Sequence, residues 1–189
     1  MVVPPVVSIH APAFGLADSD KRRDADPNSI PSAVDLDSGI QLRGSIDLVE
    51  RHPAGHVRIT DHKTGKFDGE EDQIVAGGTS LQPALYALAA EKLFDRKLTV
   101  DCGRLYFCTS VGGFSEIIVN LDRETRETIA VVADIISQAL DQPFLPAAPA
   151  KRQCEWCDYR AVCGPYEELR TRRKAKEPVA SLLRLRGMR

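Results

Sequence analysis

The sequence predicts an α/β fold, a sheet packed by helices, and three observations carry that prediction. Apolar residues alternate through Gly44–Gly65, the period of half-buried strands. A second strand-rich stretch, Leu98–Leu121, is divided by Gly112-Gly113. Two segments between and after these, Ser80–Arg96 and Asp122–Asp141, have the length and apolar spacing of helices.

In chain order, Val6–Ile9 is a short strand-like run among prolines and is expected at a sheet edge. Ala17–Pro31 is polar, charged and proline-bounded, and reads as a loop. Ala33–Asp37 and Ile40–Glu50 form a predicted hairpin around Asp37-Ser38-Gly39. One further strand follows, with Ile46 and Leu48 on Ile40–Glu50 and Val57 and Ile59 on the new strand as inward residues. The two strands are joined by Arg51–His56, where Pro53 and Gly55 supply turn chemistry. Phe67–Thr79 is read as a loop. Ser80–Arg96 is a helix with Ser80 as N-cap, Pro83 in the first turn and Leu81, Leu85, Leu88 and Ala89 as its buried stripe. Leu98–Ser110 and Phe114–Leu121 make an antiparallel pair. Asp122 caps the second helix, whose apolar face is Ile129, Val132, Ile136 and Leu140. Pro143–Pro149 is an extended linker.

At 189 residues, 43% hydrophobic and 28% charged, the chain has the composition of a soluble globular protein with one core. It has no apolar run of membrane-spanning length and no basic leader, so the expected setting is cytoplasmic. A net charge of −2 offers no general attraction for nucleic acid, and any such contact needs a local basic patch. The one basic region is Tyr166–Arg189, where Arg170, Arg173 and Lys174 are the candidate phosphate contacts.

The chemistry concentrates in Gly44–Gly65. Asp61 and Lys63 are two apart and share a strand face, and pairing of the two strands brings Asp47 beside them. Two carboxylates held close repel, and a divalent cation removes the repulsion. Mg²⁺ typically takes one or two protein carboxylates and completes its shell from water and substrate phosphate. A lysine there orients the attacking water and offsets developing negative charge. The reaction this suggests is phosphodiester hydrolysis.

Four pieces together, GSID (Gly44–Asp47), DHKTG (Asp61–Gly65), QPALY (Gln82–Tyr86) and the cluster Cys154, Cys157 and Cys163, resemble the PD-(D/E)XK nuclease superfamily. The resemblance is to its RecB/AddB-like branch, which includes the CRISPR-associated exonucleases. It implies a restriction-endonuclease-like mixed sheet flanked by helices, with a cysteine-stapled C-terminal extension. The implied division is a nuclease core at 1–150 and a cysteine-cluster and basic extension at 151–189. It also implies that Asp47, Asp61 and the His62 backbone carbonyl hold Mg²⁺ or Mn²⁺, that Lys63 is catalytic, and that Gln82 and Tyr86 position substrate. The implied activity is a single-strand DNA exonuclease of recombination or repair, linked to a helicase subunit or domain.

The spacing Cys154-x-x-Cys157-x5-Cys163 suits thiolate ligation, and iron–sulfur and zinc both remain open from spacing alone. The resemblance favours a 4Fe-4S cluster, with its fourth cysteine far upstream, where this sequence has none. Family members also carry an upstream acidic residue or histidine on a helix, and none is visible here; His10 has the wrong surroundings. Both gaps lead to the expectation that the chain is the C-terminal part of a longer protein. The competing readings are a catalytically incomplete DNA-binding or scaffold subunit and a zinc protein unrelated to DNA.

Overall fold

The computed structural model describes residues 7–9, 13–14, 32–67, 69, 72–94, 98–141, 147–164 and 166–189. His10 and the loop read at Ala17–Pro31 lie outside them, as does most of the linker at Pro143–Pro149.

The described residues form nine strands: β1 (Val7–Ile9), β2 (Ala13–Phe14), β3 (Val34–Asp35), β4 (Gln41–Leu42), β5 (Gly44–Ser45), β6 (Leu48–Arg51), β7 (His56–Lys63), β8 (Thr99–Phe107) and β9 (Glu116–Asn120). Five of them form one mixed sheet in the order β1-β6-β7-β8-β9. The β7–β8 pair is parallel and the others are antiparallel. β1 takes the expected edge position, paired with β6. The β3–β4 hairpin closes as predicted, with the Leu36 N–H donating to the Ile40 carbonyl (2.9 Å). Ile40–Glu50 is not one strand, however. It breaks into β4, β5 and β6, so the inward residues are Ile46 and Val49 rather than Ile46 and Leu48. The break leaves Asp47 just outside regular pairing.

Parallel neighbours need a crossover, and helix α1 (Gln82–Leu93) supplies it between β7 and β8. It is shorter than expected, and Ser80 does not cap it: the N-cap is Leu81 and no side chain caps the helix. Its buried residues are Pro83, Ala84, Ala87, Ala89 and Ala90, while Leu85 and Leu88 are half-buried. The alanines face the sheet because the helix comes down on β8 at Gly103. A Cβ placed there would lie 1.9 Å from the Pro83 carbonyl oxygen. Only a residue without a side chain permits that approach.

Helix α2 (Arg123–Asp141) is capped by Asp122, whose Oδ1 accepts the Thr125 N–H (2.9 Å). Its inward side is Thr125, Ile129, Val132, Ala133 and Ile135, and Leu140, expected on that side, is 75% exposed. The polypeptide beyond 150 forms short helices: α3 (Arg160–Cys163), α4 (Glu167–Arg173) and α5 (Ala180–Arg186). The end of this segment returns to the body. Leu185 and Met188 pack against the core of Val75, Phe107, Ile117 and Val132. The Val75 and Gly77 N–H groups donate to the Arg189 and Met188 carbonyls (both 2.9 Å).

The sheet face opposite α1 carries a charged network. Arg58 donates twice to Glu50 (2.8 and 2.9 Å), Thr60 donates to Glu50 (2.6 Å), and Arg104 donates to Glu50 (3.0 Å), Thr60 (3.0 Å) and Glu116 (3.1 Å). Burial by itself pushes the Glu50 carboxyl up. The hydrogen bonds from Arg58 and Thr60 and the charges of Arg104 and Arg58 overcome it and hold the group below the ordinary glutamate range.

Two predictions follow from this packing. Gly103→Ala is expected to lift α1 from β8 and cost about 3 kcal/mol, read as a lowered urea midpoint; a wild-type midpoint would refute the close approach. Because the folded Glu50 binds its proton more weakly than the unfolded one, its contribution is full above the ordinary glutamate value of about 4.3 and is lost as pH falls through the depressed folded value. Stability measured from pH 6 downward should therefore fall less steeply in Glu50→Gln, and parallel curves would count against this account.

Candidate active site

β7 ends in the sequence Asp61-His62-Lys63, and its alternation sends Asp61 and Lys63 to one face and His62 to the other. In the parallel register Ile59 lies beside Gly103 and Asp61 beside Leu105, so this is the face on which α1 rests. The close contact at Gly103 sets the first turn of α1 against the end of β7. Gln82, the first helical residue, thereby meets both site residues. Lys63 Nζ donates to Gln82 Oε1 (2.6 Å), and Gln82 Nε2 donates to Asp61 Oδ1 (3.4 Å). Lys63 Nζ lies 2.7 Å from Asp61 Oδ2. Three side chains from a strand and a helix close into one ring of contacts.

Asp47 joins through the backbone. Its Oδ2 accepts the N–H of His62 (2.8 Å), the amide of the peptide between Asp61 and His62. Asp47 lies in the step between β5 and β6, one residue before the Leu48–Thr60 pair. The His62 ring lies edge-on to Tyr106, with Nδ1 3.8 Å from Asp47 Oδ2. Tyr86 lies one turn along α1 from Gln82, half-buried against the core of Val49, Ile59 and Ala90. The expected convergence thus occurs for Asp61, Lys63 and Gln82 directly and for Asp47 at the adjoining peptide.

The donor set suits a hard divalent cation. Asp61 is 7% exposed, and its Oδ2 is buried without a hydrogen-bond partner. The lysine beside that oxygen balances charge but lacks the angle of a hydrogen bond. That oxygen is paired with the Lys63 ammonium at 2.7 Å, and a deeply placed carboxylate of this kind is a hard oxygen donor of the class that Mg²⁺ and Mn²⁺ take. The Asp47 side chain is 43% accessible, and it contacts the His62 N–H and ring.

A cavity of about 770 Å³ opens beside Lys63 and Gln82. It runs over Leu105, Phe107 and Ile117 to Arg186 and Arg189. These two arginines stood in the basic tail of the sequence, but nothing in local pattern placed them next to Lys63. Arg170 and Arg173 on α4, and Lys174 just after it, are exposed and do not line this cavity.

The cysteines behave differently from the spacing. Cys154 is buried in a 3-10 turn (Gln153–Trp156), whereas Cys157 and Cys163 are exposed, and all three are free thiols. Among the described residues no three His, Cys, Asp or Glu side chains are gathered for a metal ion. Neither a 4Fe-4S nor a zinc centre is therefore supported by the described residues, and the nearby Trp156 and Tyr159 are exposed.

Among the described residues no helix is long and apolar enough to cross a membrane. No curated protein and no solved structure matches the chain at a significant level. One family model does match, that of the PD-(D/E)XK nuclease superfamily, over residues 9–164. That span takes in Asp47, the Asp61–Lys63 strand end, the Gln82 helix and the mixed sheet that positions them, and the chain belongs to the PD-(D/E)XK nuclease superfamily.

Proposed function

We propose that this chain hydrolyses DNA phosphodiester bonds with Mg²⁺ or Mn²⁺, acting on single-stranded ends in recombination or repair. The observation that carries the reading is the closed contact of Asp61, Lys63 and Gln82 at the end of β7, in a chain of the PD-(D/E)XK nuclease superfamily. Asp47 and Asp61, with the His62 carbonyl, would hold the cation, which supplies Lewis-acid polarisation of the scissile phosphate.

The chain's own residues do the rest. Lys63 places a positive charge beside the reacting phosphate and orients the incoming water. Gln82 uses its amide as a two-ended clamp, so that neither Lys63 nor Asp61 rotates away. Asp47, through the His62 N–H, fixes the peptide from which both site side chains project. Tyr86 braces the same helix face against the core. Arg170, Arg173 and Lys174 offer exposed charge for more distant phosphates. A place in a larger helicase–nuclease assembly rests on the family likeness alone.

Labelled single-stranded DNA incubated with Mn²⁺ or with EDTA tests the reading. Cleavage is expected only with the metal, and Lys63→Ala should reduce it roughly a thousandfold while leaving the urea midpoint nearly unchanged. Retained cleavage in that variant would remove the catalytic assignment. Metal-independent binding with no loss of label would favour a scaffold subunit.

A further inference from the structure

The cavity beside Lys63 has an uneven charge. Among the described residues lining it, Lys63, Arg186 and Arg189 are cationic and none is acidic, in a chain of net charge −2. Its hydroxyl and amide groups include Ser80, whose Oγ is buried and has no hydrogen-bond partner. Its floor is apolar, which strengthens ionic contacts made above it. Its volume of about 770 Å³ falls within the roughly 300–1,000 Å³ of a small-ligand pocket. That is room for one or two nucleotides of an unpaired strand.

The wall that brings the arginines here is purposely shaped by backbone. Gly77 and Gly78 have φ of +63° and +90°. A Cβ on Gly77 would lie 3.0 Å from the Arg186 carbonyl oxygen, and one on Gly78 would lie 2.9 Å from Leu185. With the hydrogen bonds from Val75 and Gly77, this seats Leu185–Arg189 against the loop that leads into Gln82. The two arginines differ in freedom. Arg186 donates to the Ala148 carbonyl, away from Lys63. Arg189 pairs with Asp72 and Glu124 (both 2.9 Å), whose side chains are 91% and 64% exposed. Such exposed pairs hold weakly and exchange readily for a better anion.

We propose that this cavity is a phosphate subsite for the unpaired strand next to the scissile bond, with Arg189 as its charged anchor. The assignment rests on the nuclease reading of the Lys63 site. Arg189 leaves Asp72 and Glu124 when the strand enters and takes a non-bridging phosphate oxygen. The strand is thereby held beside Lys63 and Gln82.

The test measures fluorescence anisotropy of a 5′-labelled oligothymidylate with the full chain in EDTA across a KCl series. Arg189→Gln should weaken binding about fivefold and lower the slope of log Kd against log salt by about 0.7, the value for one phosphate contact on a single strand. Arg189→Lys should keep the slope. The Asp72→Asn/Glu124→Gln variant frees Arg189 and should tighten binding about threefold, a gain that disappears when Arg189→Gln is added. A wild-type slope in Arg189→Gln, or tightening that survives it, would overturn the anchor. Cleavage of the same oligonucleotide with Mn²⁺ separates the two readings: an inactive wild-type protein that binds as expected refutes the nuclease reading alone. An active one indifferent to Arg189 refutes the subsite alone.

Discussion

At Gly103 the backbone of β8 touches the carbonyl of Pro83 in α1, with no room for a side chain between them. The site depends on that contact. β7 and β8 run parallel, so the end of β7 and the middle of β8 present the same face, and the helix resting on Gly103 overhangs Asp61 and Lys63. Pro83 needs no N–H at this helical position, and the alanines behind it keep the helix low. Gln82 reaches two charged side chains only because the helix starts there and lies so close.

The two faces of the sheet treat charge in opposite ways. On the face away from α1, Glu50 accepts from Arg58, Thr60 and Arg104, and both of its oxygens are bonded. That network is satisfied and serves stability. On the α1 face, Asp61 is as deeply placed, yet one oxygen has an ammonium beside it and no hydrogen bond. The Asp61 carboxylate is thus held by one ammonium and one amide rather than by a full set of hydrogen bonds.

The segment after residue 150 contributes more to the body than a cysteine staple would. Its last turn supplies Leu185 and Met188 to the core and sets arginines at the edge of the catalytic cavity. The thiols that dominate this segment in the sequence are split between a buried turn and exposed positions. The loop of residues 72–80, which looked like a mere connection, is the seat for that turn and holds Gln82 in place.

Period-two alternation, turn residues at Gly39 and Gly55, and the Asp122 cap were sufficient to locate the strands, two hairpins and the second helix, because each is a local preference of the backbone. The Asp61–Lys63 pair was legible for the same reason: residues two apart on a strand share a face whatever the fold. The alanine face of α1 was misread as a leucine stripe, because which side of an apolar helix is buried is chosen by its neighbour, here a glycine on another strand. The inward position of Val49 and the placement of Asp47 arose from a break between β5 and β6 that no apolar pattern announces. Arg189 and Lys63 line one cavity although 126 positions separate them. The sequence by itself determined which short segments are strands, helices and turns and which residues could do the chemistry. Only the tertiary structure decided which of them meet, because close approach between distant backbones is set by packing and leaves no periodic trace in the chain.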